Sequence, residues 1–214
     1  ADIHFVGKEI YRFHTVIWPA MLMALGAPLP KSVYAHGWWT AEGHKMSKSK
    51  GNFIDPREFT REYGLDAFRY FLFREMPFGN DGDFSRESFA KRYNAELAND
   101  LGNLVSRVTT LVDKKLGGLL PGKPEFDKAV VTKEMLALTP KIEAAMEQLA
   151  FSQALDVIWS GIGRLNEFVD KNKPWEKEAN SEIVRAILFD LATSLRIVAG
   201  WLTPFMPDTA TKMH

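Results

Sequence analysis

Leu97, Leu101, Leu104, Val105, Val108, Leu111 and Val112 recur three and four residues apart, a spacing that only a helix turns onto one face. Ser85 ahead of the run is a good N-cap and Gly117-Gly118 behind it a stop, so one helix is predicted from Ser85 to about Leu116. An apolar stripe of that length has to be covered, and the rest of the chain supplies the covers. Thr139-Pro140 offers a cap and a first-turn proline, Ser152 caps a helix running to about Asp170, and Asn180 or Ser181 opens a last one that Pro204 and Pro207 close. Residues 119–131, with two prolines and a glycine, read as a loop. The expectation is a bundle of four or five amphipathic helices.

The residues before Ser85 have a different texture. Ile10, Phe13, His14, Ile17, Trp18, Met21, Leu22 and Leu25 keep the helical period, with Pro19 set to kink or restart the helix. Residues 32–40 (SVYAHGWWT) have the β-branched and aromatic character of a strand. Residues 43–52 read as an exposed loop, and two helices joined at Gly64 are predicted between Asp55-Pro56 and Met76. The punctuated stretch Pro77 to Gly82 divides the chain, giving two expected domains, 1–80 and 81–214, in a mainly α protein. At 214 residues there is room for both cores.

Charge and composition exclude several function classes. Lys plus Arg and Asp plus Glu are 27 each, so no overall field draws the chain to nucleic acid or anionic lipid, and any such binding is local. The absence of cysteine removes disulfide frameworks, thiolate zinc sites and cysteine nucleophiles. No run approaches the roughly 18 apolar residues of a membrane span, and no secretory pattern opens the sequence, so a cytoplasmic protein is expected. The chain opens on Ala1-Asp2-Ile3-His4-Phe5 without an initiator Met, and the expectation is a piece of a longer polypeptide.

Residues 45–52, Lys-Met-Ser-Lys-Ser-Lys-Gly-Asn, place three lysines within six positions with no acid from Gly43 to Phe53. Ammonium groups on flexible stems suit a polyphosphate whose charge moves onto a leaving group; the plainer alternative is a solvated basic turn. The string KMSKS is the signature of class I aminoacyl-tRNA synthetases. Upstream, residues 4–10 (HFVGKEI), Phe13-His14 and Trp18-Pro19-Ala20 resemble the methionyl-tRNA synthetase family. The likeness continues through His36-Gly37, residues 64–70 (GLDAFRY), 81–85 (DGDFS) and 100–104 (DLGNL).

The resemblance implies the following roles. The fold is the C-terminal end of a class I nucleotide-binding α/β catalytic domain followed by an anticodon-binding helix bundle. Lys48 binds ATP phosphates and stabilises the transition state, with Lys45 second. Gly7, Glu9, His36 and Trp39 approach the nucleotide, and Ile10, His14 and Trp18 belong to the methionine pocket. From the residues alone the alternatives are an amphipathic packing helix with one satisfied histidine, and tryptophans that pack. In the implied reaction a methionine carboxylate attacks the α-phosphorus of ATP, pyrophosphate leaves with magnesium, and the methionyl group passes to the terminal ribose of tRNA(Met). Zinc belongs to a part of such enzymes that is not in this sequence.

On the helix after Ser85 the polar residues Asn99, Asn103 and Arg107 stand at four-residue steps, their stripe centred roughly 135° from the apolar one. Two amides and a guanidinium in line can read unstacked bases, although from spacing alone the stripe reads as ordinary helix surface. In the family these positions belong to the anticodon-reading face, and Trp175 matches an aromatic residue on which an anticodon base stacks. From Arg86 to Lys115 six basic residues oppose four acidic ones, so a moderate salt dependence of RNA binding is expected. The second class I signature, HIGH, does not occur: His4-Phe5-Val6-Gly7 is followed by Lys8 in place of its last histidine. The expectation is therefore a portion of the enzyme that cannot activate methionine alone. The rival readings are another class I synthetase, for leucine, isoleucine, valine or cysteine, and a noncatalytic RNA-binding module of the same ancestry. Oligomeric state is not legible.

Overall fold

The computed structural model describes residues 2–46, 54–120 and 129–214. The first strand, β1 (Ile3–Gly7), pairs in parallel with β2 (Ser32–His36), from Ile3 opposite Ser32 to Gly7 opposite His36. A parallel pair needs a crossover, and residues 8–24 provide it as a helix that changes pitch. It begins with a 3-10 turn (Lys8–Ile10), widens to π geometry over Phe13–Ile17 and ends as α1 (Trp18–Ala24). Proline lacks the N–H that an α-helix needs, and the widened turn lies directly ahead of Pro19, where the sequence predicted a kink.

The strand expected over 32–40 is two strands in two sheets. β2 stops at His36, and β3 (Trp39–Ala41) lies in a second sheet of order β4-β3-β5, with β4 (His44–Lys45) antiparallel and β5 (Gly82–Phe84) parallel to it. The break falls at buried Gly37, where a Cβ would sit 2.0 Å from the carbonyl oxygen of Asn80. Only a residue without a side chain lets the two backbones approach this closely.

The two helices expected before Met76 are α2 (Pro56–Tyr63) and α3 (Leu65–Glu75). Asp55 caps α2 by accepting from the Arg57 amide at 2.9 Å, Pro56 takes the first turn, and Gly64 makes the joint at φ 87°. Phe59, Phe68, Phe71, Phe84 and Phe89 form an aromatic core here, with Phe59 edge-on to Phe84 at 4.8 Å.

The long helix after Ser85 exists, but in three pieces: α4 (Arg86–Arg92), a π-helical segment (Tyr93–Gly102) and α5 (Asn103–Leu116). Ser85 accepts from the Ser88 amide, and Gly117 ends α5 in the left-handed conformation. Next come α6 (Val130–Leu136), α7 (Thr139–Glu147), α8 (Phe151–Asn172), α9 (Glu182–Leu202) and α10 (Pro207–Met213). Leu104, Val108, Leu155, Ile158, Ile162, Leu165, Leu188, Leu191 and Val198 fill the bundle interior.

Several boundaries differ from expectation. α6 occupies part of the expected loop, and its cap is not local: the buried Asp190 carboxylate of α9 accepts from the amides of Val130, Val131 and Thr132 at 2.8–3.0 Å. Thr139 lies inside α7, whose N-cap is Leu138, and Ser152 lies inside α8, whose N-cap is Ala150. Ser181 caps α9 as predicted. Pro207, expected to close the last helix, opens α10 instead, because a proline is as compatible with a first turn as with a stop. Among the described residues no helix is long and apolar enough to cross a membrane.

Candidate functional site

Two regions gather the residues singled out above. The first is an open cavity of about 430 Å3 lined by His4, Phe13, His14, Ile17, Trp18 and Met21. His14 and Trp18 are brought together here by the helix preceding and including α1. The Ile10 side chain is not among the walls; its carbonyl oxygen lies 3.1 Å from His14 Nδ1. A carbonyl cannot donate, so Nδ1 carries the proton of that bond, and in the neutral ring Nε2 is left as an acceptor. His4, on β1, sets its ring edge-on to His14 at 5.9 Å. An aromatic wall with an imidazole suits a thioether or another soft apolar side chain carrying a polar end.

Beside this cavity, at the ends of β1 and β2, lies a polar corner. Glu9 accepts from Trp38 Nε1 at 2.9 Å, and that bond holds its carboxyl below the usual range. Lys8 donates to both oxygens of Asp81 at 2.5 Å and stands 4.4 Å from the centre of the Trp38 ring, while Asp81 also accepts from the Trp38 amide. Asp81 is likewise held low, by the Lys8 bond first and the backbone bond second. A Cβ on Gly7 would meet the Glu9 carboxylate at 2.5 Å, so a side chain there would push the end of Glu9 out of its present position. His36 Nδ1 bonds the Gly37 carbonyl at 3.0 Å. Trp39 turns inward: its ring packs on Phe71, and its backbone pairs with Gly82. Lys48 and the side chain of Lys45 lie outside the described residues; the backbone of Lys45 ends β4.

The second region is at the far end of the bundle. Arg107 of α5 donates to Asp170 of α8 at 2.7 Å, and its guanidinium lies 5.3 Å from the centre of the Trp175 ring, which follows α8 and is 42% exposed. Pro174 is buried and anchors the turn that presents the indole. Asn99 and Asn103 are exposed on the same helical rod as Arg107. The group offers a flat π face, a held cation and two amides, the equipment with which proteins stack and read single-stranded bases.

Comparison with known proteins gives the family. The family of class I tRNA synthetases described as (M) matches residues 1–109. The chain belongs to this family. It is similar to the methionine–tRNA ligase of Caldanaerobacter subterraneus subsp. tengcongensis, 50% identical over 219 residues, and to that of Bacillus subtilis, 47% identical over 220. Each match takes in the whole of this chain, which spans about a third of those relatives, 34% and 33%. Among solved structures, Mycobacterium tuberculosis methionyl-tRNA synthetase bound by methionyl-adenylate superposes with a TM-score of 0.91 at 39% identity, over 100% of this chain and 43% of that one.

For this class I synthetase chain, His14, Trp18, Arg107 and the two asparagines stand out through the family resemblance; their spacing alone reads as a packing helix and an ordinary helix surface. Sequence reasoning assigned no role to His4, Lys8, Asp81 or Asp170, and left Trp38 between packing and contact. Asp81 meets Lys8 across 73 positions and Asp170 meets Arg107 across 63, separations no local pattern encodes. Trp38 had one usable signal: Gly37 breaks the strand, so Trp38 need not obey the alternation that turns Trp39 inward.

Proposed function

We propose that this chain is the part of a methionine–tRNA ligase that contributes the KMSKS loop, one wall of the methionine pocket and the anticodon-reading bundle. The observation that carries the reading is the pairing, in one chain of this family, of the His14 cavity with the Arg107–Trp175 face. Its substrates are methionine, ATP and tRNA(Met), and it works in the cytoplasm. The catalytic portion ends near residue 80, and the anticodon-binding portion is 81–214.

In this reading the methionine side chain rests against Phe13, Ile17 and Trp18, with His14 Nε2 accepting from its polar end. Glu9, set by the Trp38 bond, accepts from the ribose hydroxyls, and Gly7 leaves room for the nucleotide. The Trp39 backbone and His36 approach the adenine, and Ile10 acts through the carbonyl that orients His14. Lys48 and Lys45 neutralise charge as the methionine carboxylate displaces pyrophosphate from the α-phosphorus, a step governed by positioning and electrostatics. Among the described residues no group of three or more His, Asp or Glu is placed to hold a metal. Magnesium would arrive with the nucleotide. At the other end Trp175 stacks an anticodon base, and Asn99, Asn103 and Arg107 bond base edges.

The chemical half of the proposal is tested by methionine-dependent exchange of labelled pyrophosphate into ATP with this chain and its Lys48→Ala variant. The sequence holds no HIGH signature, so both are expected to be silent. Exchange that disappears in Lys48→Ala would mean that these residues alone support activation and would overturn the partial role proposed.

A further inference from the structure

The rod that carries Asn99, Asn103 and Arg107 changes geometry midway. Its ten residues Tyr93–Gly102 run as a π-helix, a conformation that is rare and usually confined to a single turn. A run of this length has to be held from outside, and the group placed to hold it is Glu96. Its carboxylate accepts from the Tyr70 hydroxyl of α3 at 2.5 Å and from Arg92 Nη1 at 3.1 Å, and it lies 3.5 Å from Arg74 Nη2. Arg92 also binds Glu75, and Arg74 donates to Asp156 of α8 at 2.6 Å. Arg74 is 15% exposed, Glu96 17%, Glu75 19% and Arg92 29%, so solvent screens these pairs little. The burial of Tyr70, followed by its bond to Glu96, raises its pKa and keeps the hydroxyl a donor throughout the neutral range.

Asn99 lies three residues beyond Glu96, inside the π segment, whereas Asn103 and Arg107 lie in α5. In an unbroken α-helix each four-residue step would advance by about 40°. In the wider turn each residue rotates less, so Asn99 stands in a different direction from Asn103 than the sequence period gives.

We infer that Glu96 is a positioning residue for base reading: by clamping the π segment to α3 it fixes the direction of the Asn99 amide relative to Asn103 and Arg107, and with it the base accepted there. This rests on the RNA-reading role proposed above.

The test measures binding of an anticodon stem-loop bearing CAU, and of three stem-loops each altered at one anticodon base, to the whole chain and to Asn99→Ala, Glu96→Gln and the double variant. Asn99→Ala identifies the base whose discrimination depends on that amide. Glu96→Gln is expected to erase discrimination at the same base, costing roughly tenfold in CAU affinity, and to cost nothing further in the Asn99→Ala background. Tyr70→Phe removes one donor and leaves both arginines in place; it is expected to act in the same direction more weakly, and it carries the test should Glu96→Gln fail to fold. A purely structural Glu96 would weaken all four loops alike, with losses that multiply those of Asn99→Ala, and that result overturns the inference. If the unaltered chain fails to distinguish the loops, the RNA-reading role itself falls and the positioning role with it.

Discussion

Lys8, Trp38, Asp81 and Glu9 show how single side chains fix the polar corner at the ends of β1 and β2. Asp81 ties the segment after α3 to the start of the crossover helix, and Trp38 passes that constraint to Glu9. The Asp81 carboxyl is held below its ordinary 3.8, so the Lys8 contact favours the folded state above that value and is lost as the pH falls through the lowered one. An NMR titration of the Asp81 carboxyl carbon is expected to give a midpoint below the ordinary carboxylate value, moving upward in Lys8→Met. A midpoint unchanged by that substitution would contradict the assignment. None of this is visible in the sequence, because each partner comes from a different segment. His14 stood out only through the Phe13-His14 resemblance, because its spacing with Ile17 and Trp18 within one helix reads equally as a packing face.

The elements that sequence located well carry their own punctuation, and those it misplaced borrow theirs. Asp55-Pro56, Gly64, Ser85 and Gly117 act within a few residues of where they stand, and the helices they bound appear where expected. Helix α6 has Ala129 at its N-cap and no local side-chain acceptor; its first turn is satisfied by Asp190, some sixty positions away. Thr132 reinforces the joint by donating its hydroxyl to the same carboxylate at 2.6 Å. Asp190→Ala strips the acceptor from three amides and a hydroxyl, and a denaturant midpoint shift equivalent to roughly 2 to 4 kcal/mol is expected, with about half of that for Asp190→Asn. A loss no larger than that of an ordinary surface substitution would show that α6 is held some other way. The π segments were equally illegible. Both preserve an apolar spacing that reads as α, and in the one over Tyr93–Gly102 Glu96 bonds the Tyr70 hydroxyl of α3 and the Arg92 guanidinium of α4.

Across the whole molecule, packed cores and side-chain bonds connect the sheet region to the helix bundle. The aromatic core around Phe59 fixes α2, α3 and the β3–β5 sheet, and α3 is bonded to the bundle through Arg74 to Asp156 and through Arg69 to the carbonyls of Pro204 and Phe205. Tyr70 stacks at a tilt on Trp159 of α8, 4.6 Å between centres, so the bundle core begins inside α3. With overall charge balanced, the proposed RNA binding is expected to come from the local face and not from a general field, with a moderate salt slope. The decisive measurement is a fluorescence titration of this chain with an anticodon stem-loop bearing CAU, set against the same stem with a scrambled loop, in wild type and in Trp175→Ala. Preference for CAU by at least about tenfold, with Trp175→Ala costing about 1 to 3 kcal/mol, is the expected result. Equal binding of the two loops, or a Trp175→Ala variant that binds CAU as tightly as the parent, would contradict it.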